Sequence, residues 1–327
     1  MTAEIWVLGD HRVGNTNQAI ALAQELGLEY EVKDIKYNFL SKLPNFFLQF
    51  NPLHITDEVL KTFKNTLFPK IIISSGRRTA PLALYLKEKS GNKLKVVQIM
   101  RPDIDSKNFD LLVLPQHDNV NQLNSNIIRI IGALSNSGTK ILNGALELDK
   151  NYPEAKNFIA VLVGGDTKNH KFTEFNSTLL ANTLSTITNN HSCPLFFSFT
   201  RRTPEVTKSI IRNMFPWPHI IYDPTTDENR PNPYYGMLGR AEFIICTGDS
   251  VSMCSEVAST GKPFYIYCPQ DFKIIEKHRF FIQQLVDIGV AKKLESNVSL
   301  LEDYSYPPLN EVMKVADFIK AELLDKA

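Results

Sequence analysis

The chain has 327 residues, which at roughly 150 residues per domain corresponds to about two domains. Hydrophobic residues make up 43% and charged residues 22%, a balance typical of a folded protein and not of a disordered or collagen-like chain. The net charge is only +1, so no global field attracts the molecule to nucleic acid, we expect no nucleic-acid partner, and any anion site must be local.

The cysteines and the N-terminus indicate a reducing compartment. The four cysteines lack the Cys-x-x-Cys spacing of most zinc sites, which predicts buried thiols. The first residues have no basic region of a signal peptide, and the apolar run 5–8 is far shorter than the roughly 20 residues of a membrane span. We therefore expect a cytoplasmic protein.

Short apolar runs rich in β-branched residues alternate with segments of helical periodicity along the chain, which predicts parallel sheets covered on both faces. In the first half, strands are predicted over 5–8, 30–35, 70–74, 95–100, 109–114 and 127–131, with helices over 17–26 and 79–87. In the second half, strands over 158–163, 195–199, 219–222, 243–246 and 264–267 alternate with helices over 175–187, 205–214, 251–259 and 276–287.

Both halves open alike, with a strand that ends in glycine and aspartate at Gly9-Asp10 and at Gly165-Asp166. The polar, proline-containing stretch 149–154 between them has the composition of a domain boundary. We therefore predict two doubly wound, Rossmann-like α/β domains, over 1–150 and 151–327, that face each other across a cleft. A closing helix over 309–324 is expected to pack on the first domain.

The most informative loop follows strand 243–246 and leads into helix 251–259. Small residues there allow phosphate oxygens to approach, hydroxyls donate hydrogen bonds, and the helix N-terminus adds partial positive charge. Glu256 lies about one turn into the helix, where a carboxylate can accept hydrogen bonds from two ribose hydroxyls. The alternative is an ordinary capped helix with a solvated glutamate. The hydroxyl residues concerned are Ser250, Ser252 and Ser255.

Two arginine pairs each follow a predicted strand and precede a helix. Arg201-Arg202 follow strand 195–199, and Arg77-Arg78 follow strand 70–74. Guanidinium groups bind phosphate oxygens bidentately, so each pair is a candidate anion contact at the carboxyl edge of a sheet. For Arg201-Arg202, the alternative is two surface arginines on a solvated loop.

Several motifs together resemble a known family. Residues 249–256 (Asp-Ser-x-Ser-Met-x-Ser-Glu) and 260–263 (Thr-Gly-Lys-Pro) resemble the nucleotide-sugar loop of GT-B glycosyltransferases such as the peptidoglycan N-acetylglucosaminyltransferase. They are more closely similar to the mitochondrial-fission ELM (elongated mitochondria) family, whose bacterial members are GT-B-like. The resemblance extends to residues 75–81, 115–118, 200–204 and 232–234 and so spans both halves.

The resemblance implies that a nucleotide-diphosphate sugar binds to the second domain and an acceptor to the first. In GT-B enzymes the loop that corresponds to Gly164-Gly165 faces the donor, and a plain tight turn is the alternative for these glycines. On the acceptor side, the resemblance points to the loop 9–15 and to the arginine pair after strand 70–74. The acceptor-side residues are Gly14, Asn15, Arg77 and Arg78.

A general base must reach the acceptor hydroxyl, and Asp10 or His11 could do so from the loop 9–15. The structural alternatives are that Asp10 caps the turn and that His11 is merely solvated. His117, next to Asp118 after strand 109–114, is a secondary candidate that could instead hold its loop in place.

Asp103-Ile104-Asp105 matches the Asp-x-Asp pattern with which GT-A transferases bind a divalent metal. Two aspartates at this spacing arise often by chance, and GT-B enzymes generally stabilise the leaving diphosphate with arginines and helix dipoles. We therefore expect no metal site and no cofactor apart from the nucleotide-sugar substrate.

The stretch 40–53 packs phenylalanines and leucines between prolines. One interpretation is an apolar patch that touches a membrane surface near a lipid-linked acceptor, assisted by Lys36 and Lys42. The other, which the sequence favours, is a short helix that fills the core of the first domain.

These features favour a metal-independent glycosyltransferase with a nucleotide-sugar donor and a cell-envelope or lipid-linked saccharide acceptor, cytoplasmic or peripheral on the inner face of the membrane. One alternative is a non-hydrolysing nucleotide-sugar epimerase, which needs cleft carboxylates such as Asp10, Asp103 and Asp118. Another is a non-catalytic adaptor, suggested by plant members implicated in recruiting fission machinery. Polar loop chemistry in both halves favours an enzyme.

Overall fold

The computed structural model describes residues 3–64, 66–118, 124–167, 171–268 and 274–324. These residues form two compact units. The N-terminal unit comprises the chain up to Asn136 and again from Asn310, and the C-terminal unit is Ser137–Leu309. Among the described residues, no helix has both the length and the apolar character that crossing a membrane requires.

Each unit is built on a sheet to which its described residues contribute six strands, all paired in parallel. The strands of the N-terminal unit are β1 (Ile5–Gly9), β2 (Tyr30–Asp34), β3 (Ile71–Ser75), β4 (Lys95–Ile99), β5 (Leu111–Pro115) and β6 (Ile127–Ile130). Those of the C-terminal unit are β7 (Ile159–Val163), β8 (Leu195–Phe199), β9 (Ile220–Tyr222), β10 (Phe243–Thr247), β11 (Phe264–Tyr267) and β12 (Lys292–Lys293). The predicted pair of doubly wound sheets is confirmed.

Helices connect most successive strands. They are α1 (Val13–Leu26), α2 (Asn45–Leu48), α3 (Asp57–Thr62), α4 (Ala80–Lys89), α5 (Gly138–Asn151), α6 (Glu174–Asn190), α7 (Glu205–Met214), α8 (Tyr234–Arg240), α9 (Val251–Ala258), α10 (Glu276–Asp287) and α11 (Glu311–Ile319). Short 3-10 helices cover Phe39–Lys42 and Ser106–Asn108, and a π-helical turn, Lys320–Leu324, follows α11.

The strand order of each sheet shows its switch point, where successive strands stop adding to one side of the sheet and begin to add to the other. The N-terminal order is β2-β1-β3-β4-β5-β6, so the reversal lies between β1 and β3. The C-terminal order is β12-β11-β10-β7-β8-β9, so the reversal lies between β7 and β10. Ligands of doubly wound sheets bind beyond the carboxyl ends of the strands at such switch points, so the loops after these four strands are the first places to search.

Helices cover both faces of the N-terminal sheet, whose strands β1, β3 and β5 are buried along their full length. On one face, α1 and α11 pack together through residues such as Leu22 and Val315. On the other, α3 and α4 contribute residues such as Val59 and Leu84. The last helix therefore packs within the N-terminal unit.

The division between the units falls after Asn136, and not near the polar stretch 149–154. Helix α5 belongs to the C-terminal unit because it packs closely on α8, where a Cβ on Gly144 would lie 2.8 Å from the backbone nitrogen of Gly236. The polar residues that resemble a linker include the last turn of α5, in which Asp149 accepts from Arg240 at 3.1 Å. Their polarity is therefore that of an exposed helix end.

The α5–α8 contact predicts that replacing a helical glycine by alanine is destabilising, although alanine has the higher helix propensity. Gly144→Ala should lower the free energy of unfolding by about 1–3 kcal/mol, because the added methyl group overlaps backbone atoms of α8. Gly138→Ala, at the open N-terminal end of the same helix, should change it by no more than about 1 kcal/mol. Urea unfolding of both variants measures this. Stabilisation by Gly144→Ala would show that α5 does not pack on α8 in this way.

Candidate functional site

The loops that follow β7 and β10 are joined at the switch point of the C-terminal sheet. The hydroxyl of Thr247 accepts from the N–H of Gly164 at 2.8 Å and donates to Asp249 at 2.7 Å. The carboxylate of Asp249, which is only 3% exposed, also accepts from the N–H of Gly165 at 3.1 Å. The two loops therefore form one hydrogen-bonded structure.

The glycine pair after β7 packs against protein atoms. A Cβ on Gly164 would overlap the carboxylate of Asp249, and one on Gly165 would overlap the carbonyl of Arg202. Because the N–H groups of both glycines are bonded to Thr247 and Asp249, this close approach accounts for both glycines within the fold. The arrangement favours a tight structural turn, the alternative left open by the sequence, over direct contact with a diphosphate.

The two arginines that follow β8 have different surroundings in the structure. Arg202 donates to the carbonyl of Asp166 at 3.1 Å and lies 3.6 Å from the buried carboxylate of Asp249, so it ties the loops after β7, β8 and β10 together. Arg201 is exposed and lines a pocket. Within the part of the chain that the structure describes, its guanidinium forms no hydrogen bond or ion pair. Arg201 is thus the member of the pair that is available to a ligand.

The serines of the loop and of α9 have different roles in the structure. Ser250 is the N-cap, and its hydroxyl accepts from the N–H of Met253 at 3.4 Å. Ser255 donates to the carbonyl of Val251 one turn earlier at 2.8 Å. Ser252 is exposed near the start of the helix. Ser250 and Ser252 therefore lie at the positive end of α9, whereas the hydroxyl of Ser255 is engaged within it.

Glu256 is not a solvated surface glutamate. It is half-buried, and its two carboxylate oxygens accept from the hydroxyl of Tyr234 at 2.5 Å and from that of Tyr235 at 3.3 Å. Burial raises the pKa of Glu256, although the hydrogen bonds from both tyrosines and the charge of Lys140 act in the opposite direction. Burial and the adjacent carboxylate in turn raise the pKa of both tyrosine hydroxyls, which keeps them protonated donors.

A pocket of 880 Å³ lies beyond the carboxyl ends of β7, β8 and β9, within the C-terminal unit. Aromatic and apolar side chains form much of its wall, and hydroxyl, amide and charged groups complete it. Tyr234 lines the pocket and donates to Glu256, so it connects the cavity with the carboxylate. The lining residues are Leu162, Ser198, Phe199, Thr200, Arg201, Tyr222, Pro224, Thr225, Glu228, Asn232, Tyr234 and Met253.

A buried ion pair holds the wall of this pocket after β9. Asp223, 1% exposed, accepts from Lys208 at 3.0 Å and from the hydroxyl of Thr225 at 2.6 Å, and Arg212 reaches its other oxygen. Burial alone would raise the pKa of Asp223, but hydrogen bonds from Thr225 and Lys208 bring it below its ordinary value. The sequence gives no local signal for this pair, because its members come from α7 and from the loop after β9.

At the switch point of the N-terminal sheet, the loops after β1 and β3 bring four predicted site residues together. Asp10 Oδ1 lies 2.6 Å from His11 Nδ1, and Asp10 Oδ2 accepts from Asn15 at 2.9 Å. Arg78 donates to His11 Nε2 at 2.9 Å. Arg78 Nη1 also lies 3.2 Å from His11 Nδ1, so the guanidinium faces both ring nitrogens. Gly14 is exposed, with open space around its Cα.

Two residues that sequence analysis missed complete this cluster. Tyr37 stacks on His54 with ring centroids 5.8 Å apart, and its ring also meets the edge of His11 at 5.9 Å. His54 is fully buried, and its Nε2 lies 2.7 Å from the carbonyl of Arg78, so Nε2 carries the proton. Burial lowers the pKa of His54 and, with Asp10, raises that of Tyr37. No motif or spacing marks either residue.

The remaining candidates of the N-terminal unit have structural partners. Arg77 donates to the carbonyls of Leu43 and Ser41, at 2.5 and 3.2 Å. The loop that contains His117 is held by Arg129, which donates to the carbonyl of Asp118 at 2.7 Å. The Asp-x-Asp carboxylates are separately engaged, since Arg101 pairs with the first at 3.2 Å and the second, Asp105, accepts from the N–H of Lys107 at 3.0 Å. Among the described residues, no cluster of three metal-binding side chains occurs.

The burial of Glu256 predicts a pH-dependent stability effect. Because its folded pKa is raised, the stability that its protonated form contributes is complete below the ordinary pKa of 4.5 and is lost as the pH rises through the folded pKa. Glu256→Gln should therefore raise the Tm at neutral pH, and the gain should vanish below pH 4.5. Thermal unfolding across this range, with the exposed Glu295→Gln as control, measures it. A gain that does not depend on pH would contradict this origin.

Two solved structures illustrate what the fold is similar to. A UDP-GlcNAc 2-epimerase of Methanocaldococcus jannaschii, in complex with UDP-GlcNAc and UDP, matches with a TM-score of 0.50 at 13% identity over 97% of this chain and 99% of that one. The O. sativa protein Os79, in complex with UDP, matches with a TM-score of 0.50 at 13% identity over 98% of this chain and 91% of that one. The chain has the GT-B fold of these proteins.

Two sequence relatives and a family model also match the chain. An uncharacterized protein of Rickettsia prowazekii (strain Madrid E), RP120, is 45% identical over 98% of both chains. The Mitochondrial fission protein ELM1 of Arabidopsis thaliana is 26% identical over 78% of this chain, which spans 64% of the plant protein. The Mitochondrial fission ELM1 family matches residues 13–323. The chain therefore belongs to the Mitochondrial fission ELM1 family, as the motifs of its sequence predict.

Proposed function

We propose that this protein is a glycosyltransferase that binds a nucleotide-diphosphate sugar in the pocket of its C-terminal unit. The observation that carries the proposal is the 880 Å³ pocket itself, with Arg201, unpaired among the described residues, on its wall and with Tyr234 bonded to Glu256. The pocket lies at the carboxyl ends of β7, β8 and β9, the edge where doubly wound sheets bind nucleotides. The two GT-B structures to which the fold is similar hold UDP or UDP-GlcNAc.

The nucleoside would occupy the aromatic part of the pocket. Tyr222 and Tyr234 offer ring surfaces to a base, and Asn232 offers amide hydrogen bonds. Glu256 would accept from the ribose hydroxyls. An ionised carboxylate has about four lone-pair sites, so the two bonds from Tyr234 and Tyr235 leave acceptor capacity for a diol.

The diphosphate would be held by Arg201 and the N-terminus of α9. The glycine pair after β7 contributes little in this arrangement, because its N–H groups are bonded to Thr247 and to the buried carboxylate of Asp249. Ser250 and Ser252 add hydroxyls at the start of α9. These groups would stabilise the charge that develops on the leaving phosphate.

The transfer step needs a base for the acceptor hydroxyl, and His11 is the candidate that the geometry favours. Its Nδ1 lies 2.6 Å from Asp10, and with the ring proton on that nitrogen Nε2 would carry a lone pair beside Arg78. An acceptor hydroxyl that replaced Arg78 would give its proton to Nε2. Its oxygen would then form a bond to the anomeric carbon, as the bond from that carbon to the phosphate oxygen breaks and the nucleoside diphosphate leaves.

Arginine variants test the donor site. Arg201→Ala should weaken binding of a nucleoside diphosphate by roughly ten- to a hundredfold, the loss of about 1.5–3 kcal/mol from a charge-assisted contact, without lowering the Tm. Arg202→Ala should lower the Tm, because it leaves Asp249 without its cation. The surface variant Arg240→Ala, whose partner is Asp149, is the matched control. Calorimetry with the diphosphates of uridine, adenosine, guanosine, cytidine and thymidine measures affinity, and unchanged affinity in Arg201→Ala would reject the assignment.

Turnover measurements distinguish sugar transfer from epimerisation and show whether the reaction needs a metal ion. We expect nucleoside diphosphate to be released from the sugar donor only when an acceptor is present, and we expect chelator to leave the rate unchanged, since arginine and helix dipole supply the positive charge. Likeness to a UDP-GlcNAc 2-epimerase makes epimerisation the second candidate, which would instead convert the donor without an acceptor and exchange a sugar proton with solvent deuterium. Loss of turnover in chelator, restored by magnesium or manganese, would contradict the metal-independent mechanism.

A further inference from the structure

Residues 39–53, which we call the aromatic protrusion, have the reverse of the usual distribution of polar and apolar side chains. Phe39, Phe46 and Phe47 are 81%, 74% and 69% exposed, whereas Asn45 is completely buried. Leu48 is the buried apolar residue of α2. The expectation that this stretch fills the core of the first domain is therefore wrong. Further exposed apolar residues of the protrusion are Leu43, Phe50 and Leu53.

Polar contacts anchor the protrusion in this orientation. The buried amide of Asn45 donates to the carbonyls of Arg77 and Pro102, both at 2.6 Å, which fixes α2 to the loops after β3 and β4. The guanidinium of Arg77 donates to carbonyls of the protrusion, and Asn38 donates to the carbonyl of Leu53 at 2.8 Å, which closes its two ends. The outward position of the phenylalanines is thus built into the fold.

The charged side chains within the protrusion's own stretch of chain have one sign. No aspartate or glutamate occurs between Asp34 and Asp57, an interval that contains Lys36 and Lys42. Lys36 pairs with Glu58 at 3.3 Å. In the described ranges, neither Lys42 nor Arg77 has a carboxylate partner. The exposed apolar groups are accordingly bordered by cations whose charge is available to an anionic surface.

We propose that the aromatic protrusion inserts into the interface of a lipid bilayer that carries anionic headgroups. Monomeric proteins rarely expose contiguous apolar surface of this kind in water, and phenylalanines beside lysine and arginine match the acyl boundary and the headgroup charge of such a bilayer. The rings of Phe46 and Phe47 lie with their centroids 5.5 Å apart and are both exposed, so they present one apolar surface that acyl chains can surround. This proposal is independent of the nucleotide pocket.

Vesicle binding by the full chain tests the proposal. We expect wild type to float with vesicles of phosphatidylcholine that contain about 30 mol% phosphatidylglycerol, and to bind pure phosphatidylcholine at least about tenfold more weakly. Phe46→Ser/Phe47→Ser should lower partition into the anionic vesicles at least about tenfold with an unchanged Tm, because both side chains are exposed. Phe175→Ser, which removes an exposed phenylalanine of α6, is the matched control and should bind like wild type.

Charge reversal, salt and fluorescence quenching test the same proposal further. Lys42→Glu and raised salt should weaken binding to the anionic vesicles, and in a Phe47→Trp variant brominated lipid should quench the added fluorescence. The proposal is overturned if wild type ignores both vesicles, if the double variant binds as well as wild type, or if the protrusion instead holds a dimer that the double variant dissociates. Nucleotide affinity measured on the same variants should not change, so failure here leaves the donor site untouched.

Discussion

The buried carboxylate of Asp249 is the constraint on which the candidate site depends. It accepts from the N–H of Gly165 and the hydroxyl of Thr247 and lies beside the guanidinium of Arg202. Since loss of any one partner would leave a buried group unsatisfied, the loops after β7, β8 and β10 are held together as one body. An internal carboxylate thereby occupies the glycine-rich turn that in other Rossmann-like folds receives a phosphate. The proposed donor site therefore places the ligand anion further along the edge, at Arg201 and the start of α9.

Sequence patterns predicted most strands and helices, but they did not predict which side chains of different elements contact each other. The strand predicted over 158–163 is β7, Ile159–Val163, because a strand buried on both faces must be a continuous apolar run. The different roles of Arg201 and Arg202 could not be predicted, because adjacent identical residues differ only in their distance from Asp249, a residue of another loop. Helix α5 was missed for a related reason, since the polarity of its exposed last turn resembles that of a linker.

The aromatic protrusion shows where hydrophobic pattern alone is ambiguous. A run of phenylalanines between prolines favours a buried helix but also fits an exposed patch, because composition does not say which face of the segment has neighbours. The decision lies in Asn45, whose amide satisfies two carbonyls of distant loops and so turns the apolar side chains outward. Tyr37 and His54 were missed for the same reason. Their place in the cluster depends on stacking on each other and on contacts with other loops, which local sequence does not reveal.

The charges of two carboxylates that bond to side chains of the pocket wall are compensated in opposite ways. Asp223 is paired with Lys208 and Arg212, so its charge is compensated within the protein and its pKa lies below the ordinary value. Glu256 receives only tyrosine hydroxyls and, among the described residues, forms no ion pair, and burial keeps its pKa raised. A glutamine of the same shape would avoid this penalty and still bond to the tyrosines. In the proposed donor site, the acceptor capacity that the two tyrosine hydrogen bonds leave on Glu256 would serve a ligand with hydroxyl donors.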